Sequence, residues 1–195
     1  ADRPSTELRR SMVVRAVRLL PRAEVVARVE RLLGDAARIE EARPFPRMQP
    51  REGEDPAAFA KRIETFRGAW QREIDEATRH LYLPALIVAD ALCAVHPEVR
   101  HFKLLAAAAR GLHYSDWARR ADALALFVEA LEALLRDDGE AARRHLDRAL
   151  RAHPDLAGEA AVREAVKGLA RMGGPAVARA RKLLEGQPAL LELLR

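Results

Sequence analysis

Residues 139–156, GEAARRHLDRALRAHPDL, recur in outline 34 positions later as residues 173–190, GGPAVARARKLLEGQPAL. Under that displacement Gly139 falls on Gly173, Ala142 on Ala176, Leu150 on Leu184, Pro154 on Pro188 and Leu156 on Leu190. A fixed period of this size marks stacked helical hairpins, because one hairpin cannot bury its apolar face alone and a neighbour must cover it. The repeat therefore predicts helix packed on helix, and it points to the kind of work such stacks do, which is holding a partner.

In the first unit Ala142, Leu146, Ala149 and Leu150 recur at helical spacing on one face. The small side chains at 142 and 149 let a neighbouring helix come close, and Pro154 blocks further helix. This series resembles the second helix of the tetratricopeptide repeat, which carries a small residue, a bulky one, a small one and a closing proline. Ala142, Leu146, Ala149 and Pro154 match those spacings, and Ala176, Ala180, Leu183 and Pro188 follow. The first helices offer Phe127, Ala130, Leu131 and Leu134, then Val162, Ala165, Val166 and Leu169, one residue out of the family's register, with Gly168 weakening the second.

The resemblance covers residues 123–190. It implies a groove, lined by the first helix of each unit, that holds a peptide or helix of another protein. The positions it places in that groove are Val128, Glu132, Leu135 and Arg136, then Val162, Arg163, Val166 and Lys167. Some family members grip a peptide carboxylate and backbone with asparagines; this chain has none. An apolar or helical ligand with charged rim contacts is the expectation instead.

Upstream, Ser5 or Thr6 can cap a helix running to about Leu20, where Pro21 breaks it. A second helix runs to about Ala42 on Val25, Val29, Leu32, Ala36 and Ile39. Residues 43–56, RPFPRMQPREGEDP, hold four prolines and no helical period, so they read as an extended connector. Asp55 as cap and Pro56 in the first turn then open a long helix. Its Phe59, Ile63, Phe66, Trp70, Ile74, Ala77 and Leu81 step by four and three, as the second helix does, which predicts an antiparallel pair. The aromatic stripe reads as a core seam, with a docking face as the alternative.

Pro84 is expected to kink or end that helix. The stretch Leu81–Val95 contains Asp90 and at 15 residues is too short to span a bilayer, so it reads as buried core. Residues 98–110 and about 117–136 form further helices, the latter capped by Ser115 or Asp116 and followed by Gly139 as a helix terminator. AVHPEV at 94–99 echoes RAHPDL at 151–156. The organisation expected is an N-terminal helical hairpin (1–42), a proline-rich connector (43–56), a central helical bundle (57–122) and tetratricopeptide-like repeats (123–195). In sum, the chain reads as all-α, an antiparallel bundle followed by a short hairpin stack.

Of 34 basic residues only Lys61, Lys103, Lys167 and Lys182 are lysine, and asparagine is absent. That is the residue usage of a GC-rich genome and predicts a bacterial source. It also discounts the basic isoelectric point as evidence for a polyanionic partner, as does a net charge of only +5. The local excess is in residues 1–22, which hold six arginines against Asp2 and Glu7. Arg15, Arg18 and Arg22 share a helical face that could track phosphates, so nucleic-acid binding is the alternative reading. Cys93 lies inside the apolar run and reads as a packed thiol. No apolar leader is evident, and a cytoplasmic residence is expected.

The six histidines, His80, His96, His101, His113, His145 and His153, form neither an HExxH pair nor a Cys/His quartet, so they read as surface or turn residues and no metal is expected. Arg148 and His153 have the Arg-x4-His spacing that resembles the nuclease motif of HEPN-family ribonucleases, which place a polar residue after the arginine where this chain has Ala149. Gly173-Gly174-Pro175 lacks the Lys-Ser/Thr of a phosphate loop, and no Gly-x-Ser-x-Gly elbow occurs. Neither catalysis nor a cofactor is expected. The function read from the sequence is a non-catalytic protein–protein interaction module, a scaffold or adaptor within a larger assembly. A helical-bundle enzyme or small-molecule sensor is the second alternative.

Overall fold

A computed structural model describes residues 6–194, and over them the chain is all-α. The elements are α1 (Thr6–Leu19), α2 (Arg22–Glu41), α3 (Pro56–Val95), α4 (Val99–Gly111), α5 (Ser115–Leu135), α6 (Gly139–Ala152), a 3-10 turn (Leu156–Gly158), α7 (Ala160–Met172), α8 (Gly174–Leu183) and α9 (Pro188–Glu192). Ser5, one of the two expected caps of α1, lies outside the described residues.

The 40-residue α3 is the axis of the molecule. α2 runs antiparallel to it: Tyr82 donates from Oη to Glu40 at 2.8 Å, and at the opposite end Arg22 pairs with Glu98 just beyond α3. α1 packs through Val13, Val14 and Val17 and leans on α3 far more than on α2, so residues 1–42 are not a self-standing hairpin. From α2 to α6 each helix packs chiefly on its neighbours in sequence, and α7 and α8 close against α5. Ala85 and Ala89 on α3, Ala106 and Ala109 on α4, and Ala121 and Ala123 on α5 are all buried, which lets these helices approach closely. One continuous apolar cluster extends from Val17 to Leu194.

Local chemistry explains most of the boundaries. Asp55 caps α3, its carboxylate accepting from the backbone N–H groups of Ala57 and Ala58, with Pro56 in the first turn as expected. Three expectations need correction. Of the kink or end expected at Pro84 the end does not occur, since helix α3 continues through Pro84 to Val95. The ring removes one backbone bond and costs roughly 3 kcal/mol, but Tyr82, Ala85, Leu86 and Ala89 are buried on either side of it, and that packing holds the helix together. Ser115 and Asp116 fall inside the first turn of α5 and make no cap bond. Gly139 begins α6 rather than ending α5: Asp137 takes the left-handed turn at φ 66°, and Asp138 caps α6 by accepting from Ala141 N–H.

Among the described residues α3 is also the one helix long and apolar enough to cross a membrane, with a mean hydropathy of 1.3 over its most apolar window. That window is 44% buried, packed between α2 and α4, and its Asp90 pairs with Arg10 at 3.0 Å.

The 34-residue period is visible in what the second helices bury. On α6 the buried positions are Ala142, Leu146 and Ala149; on α8 they are Ala176, Ala180 and Leu183, each 34 residues later. Leu156 and Leu190, after the two prolines, are buried as well. In the first helices Phe127, Leu131 and Leu134 correspond to Val162, Val166 and Leu169 at a spacing of 35. The two His-Pro endings share a backbone too: His96 (φ −135°, ψ 86°) ends α3 as His153 (φ −147°, ψ 91°) ends α6.

Candidate functional site

The groove positions expected from the sequence separate into two groups. Glu132 and Leu135 are exposed on α5 and Arg136 at its C-terminal cap, Val128 is half-buried, and Arg163 and Lys167 are exposed on α7. Leu135, 45% exposed, is the large apolar side chain available there. Val162 and Val166 are corrected: they are 1% and 0% exposed, because the apolar face of α7 is spent on the core and cannot line a ligand groove. The charged positions are satisfied locally, Arg136 by Glu132, Lys167 by Glu164 and Arg163 by the Gly158 carbonyl. The open cavity of this half lies instead between the end of α5, α6 and α8, lined by Asp137, Arg143, Arg179 and Lys182.

The N-terminal arginines also divide. Arg22 is held by Glu98, so it is not available as a free phosphate contact. Arg15 and Arg18 are exposed, and neither has an ion-pair partner among the described residues.

The feature that sequence reading assigned least well is the first half of α3. Residues 56–73 contain no buried residue, and Ile74 is the first to enter the core. At 1.5 Å per residue this is an arm of roughly 27 Å. Phe59, Ile63, Phe66 and Trp70 share one face of it. The core seam expected there holds only at Ile74: Ala77 and Leu81 are half-buried, and the buried stripe runs on through Thr78 and Tyr82 instead. What covers the arm is the connector, which lies along it as a strap. Phe45 meets Phe66 and Trp70 edge-on, with ring centroids 5.8 and 5.5 Å away. The Arg67 guanidinium sits over Phe45 and that of Arg62 over Phe59. Trp70 donates from Nε1 to the Arg43 carbonyl at 3.2 Å, and Arg62 donates to the Gln49 carbonyl at 3.0 Å. A phenylalanine between two prolines, opposite an aromatic stripe, was the available signal.

The strap is locked by a bidentate pair. Arg62 Nε and Nη2 donate to the two Glu54 oxygens at 2.8 and 2.6 Å, and Arg51 N–H donates to Oε2. The Arg62 hydrogen bonds, followed by that backbone donor, hold the Glu54 carboxyl down at about 2, against an ordinary 4.5. A depressed carboxylate pKa gives stabilisation that is full above 4.5 and lost as pH falls toward 2. Acidification through that window is expected to release the strap and shift Trp70 emission to the red. The measurement is steady-state fluorescence in a Trp117→Phe background, with Arg62→Gln showing the shifted emission already at neutral pH. An emission that stays fixed down to pH 2 would sink the lock.

A small cleft lies where α1, α3, α4, α5 and α7 converge, floored by Cys93, Phe102, Leu105 and Leu124, with Trp117 at its rim. Arg10–Asp90 lies on one side; on the other, Glu159 accepts from Arg120 at 2.6 and 2.5 Å and from His153 at 2.9 Å. Burial alone would raise the Glu159 pKa, but the Arg120 and His153 hydrogen bonds outweigh it and the net shift is downward. Burial, then the Asp90 charge, pushes the Cys93 thiol up, so it stays protonated, which makes it packing rather than a nucleophile. His153 is thereby a structural link between α6 and α7, while Arg148 of the Arg-x4-His spacing is exposed to solvent.

Of the other histidines His101 departs from the expected surface or turn role, whereas His113 keeps it as an exposed turn residue. His101 is 1% exposed, and its Nδ1–H donates to the His96 carbonyl at 2.6 Å. His113, at φ 58°, closes the α4–α5 turn in a left-handed conformation, held by an Nε2 contact to Asp75 at 2.9 Å. Among the described residues no three His, Cys, Asp or Glu side chains gather as a metal site would require. No protein-family model, curated protein or solved structure matches the chain.

Proposed function

We propose that this protein is a non-catalytic interaction module, a scaffold or adaptor whose tetratricopeptide-like hairpins brace a body from which the α3 arm reaches out to a partner protein. The observation that carries the reading is the arm itself. Residues 56–73 add nothing to the core, yet they hold four large apolar side chains in register, with Phe66 still 41% exposed beneath the strap. Most helical stability in proteins comes from packing, so an arm held straight by the rest of α3 and by its strap is a preformed ridge on which a peptide or helix can pack at little ordering cost. The exposed residues of α5 and α7, Glu132, Leu135, Arg136, Arg163 and Lys167, form a second face for the same assembly.

Photo-crosslinking tests the reading. A benzoylphenylalanine placed singly at Phe66, Leu135 or Arg18 would be irradiated in a nuclease-treated lysate of the source cells. A protein adduct at position 66 is the expected result. Adducts only at 135 would move the interface to the hairpins, and a nucleic-acid adduct at 18 in untreated lysate, with no protein adduct anywhere, would overturn the module reading.

A further inference from the structure

The outer face of α1 is independent of the arm. Val13, Val14 and Val17 turn this helix toward α3, which leaves Met12, Arg15, Ala16 and Leu19 on the opposite side at spacings of three and four. Met12 is 63% exposed, Leu19 78% and Leu20, at the following bend, 54%. Arg15 stands between Met12 and Leu19 on the same stripe, and Arg18 flanks it. Protein interfaces tend to separate an apolar centre from a polar rim. Here aliphatic and guanidinium groups are interleaved, an arrangement suited to the boundary between lipid headgroups and acyl chains, where arginine keeps its charge at the phosphates while its stem and its neighbours enter the apolar layer. Nucleic acid is a poorer fit, since phosphates gain nothing from three exposed aliphatic side chains and no aromatic is present on this face for bases to stack on.

We propose that the α1 outer face docks on an anionic lipid surface, inserting Met12, Leu19 and Leu20 with Arg15 and Arg18 on the phosphates, so that the protein is a peripheral membrane partner as well as an adaptor. No part of the docking requires a membrane-spanning segment.

Cosedimentation of the full chain tests it, with vesicles of equimolar phosphatidylglycerol and phosphatidylcholine against vesicles of phosphatidylcholine alone. Binding is expected to the anionic vesicles and to be at least tenfold weaker on the neutral ones. Arg15→Gln with Arg18→Gln should weaken it by about fivefold per arginine, and raised salt should do the same. Leu19→Ser with Leu20→Ser should lower it about tenfold or more at unchanged circular dichroism, since both side chains face solvent in the free protein. Failure of the wild type to sediment, equal binding to both vesicle types, or duplex DNA binding without vesicle binding would each overturn the proposal.

Discussion

Phe127→Ala is expected to lower the free energy of unfolding by about 3–5 kcal/mol. Phe127 is 1% exposed in the middle of α5, the helix that packs on α4, on α6 and on the α7–α8 pair. Truncating it removes the transfer energy of the ring and leaves a cavity that three helix contacts prevent from closing. Its counterpart 35 residues later, Val162, is equally buried but smaller, so Val162→Ala should cost about 2 kcal/mol, from roughly 0.8 kcal/mol per methyl lost plus the cavity. Leu135→Ala, on the exposed side of the same helix, should stay within about 0.5 kcal/mol. Urea denaturation of the three variants measures this order. Equal effects at 127 and 135 would mean that the Phe127 face of α5 is not packed in the core.

Gly111→Ala should also destabilise, although alanine is the better helix former. In open helix the change would gain up to about 1 kcal/mol. At the end of α4, however, a Cβ on Gly111 would lie inside the van der Waals surface of the Tyr82 ring. That ring cannot swing away freely: Tyr82 is 7% exposed and its hydroxyl donates to Glu40, and burial, then that bond, raises its pKa. The expected cost is about 1–3 kcal/mol, a fall in Tm of roughly 3–10 °C for a chain of this size. A double-mutant cycle isolates the cause. In a Tyr82→Ala background the same substitution should become neutral or stabilising, since the partner in the clash is gone. A cost that persists in that background would place the strain elsewhere.

The sequence carried the fold unevenly, and the pattern has a physical reason. Burial at Ala142, Leu146 and Ala149 and again at Ala176, Ala180 and Leu183 was legible because helical periodicity is local. The cap at Asp55 and the antiparallel α2–α3 pair were legible for the same reason. Helix α3 outlasting Pro84 was not, because a proline rule weighs the backbone and not the neighbours that hold it in place. The resemblance places Val162 and Val166 in a groove, while periodicity alone places them beside Leu169 on the buried face. The candidate site was less visible still. Arg120 and Glu159 meet across 39 positions and Tyr82 and Glu40 across 42, and no spacing rule reaches so far. The four prolines mark the connector as extended, but an extended segment says nothing about the surface it lies on, and the strap over the arm shows only in Phe45 lying against Phe66 and Trp70.

The claim on which the functional reading rests is that the arm serves a partner and not the fold. The most direct test is the Phe59→Ser, Phe66→Ser double variant, followed by thermal melting and by capture of the protein crosslinked at position 66. The account predicts a loss of no more than about 1 kcal/mol of stability, as for substitutions outside the core, together with loss of capture. A collapse in Tm, or a partner retained at wild-type level, would contradict it.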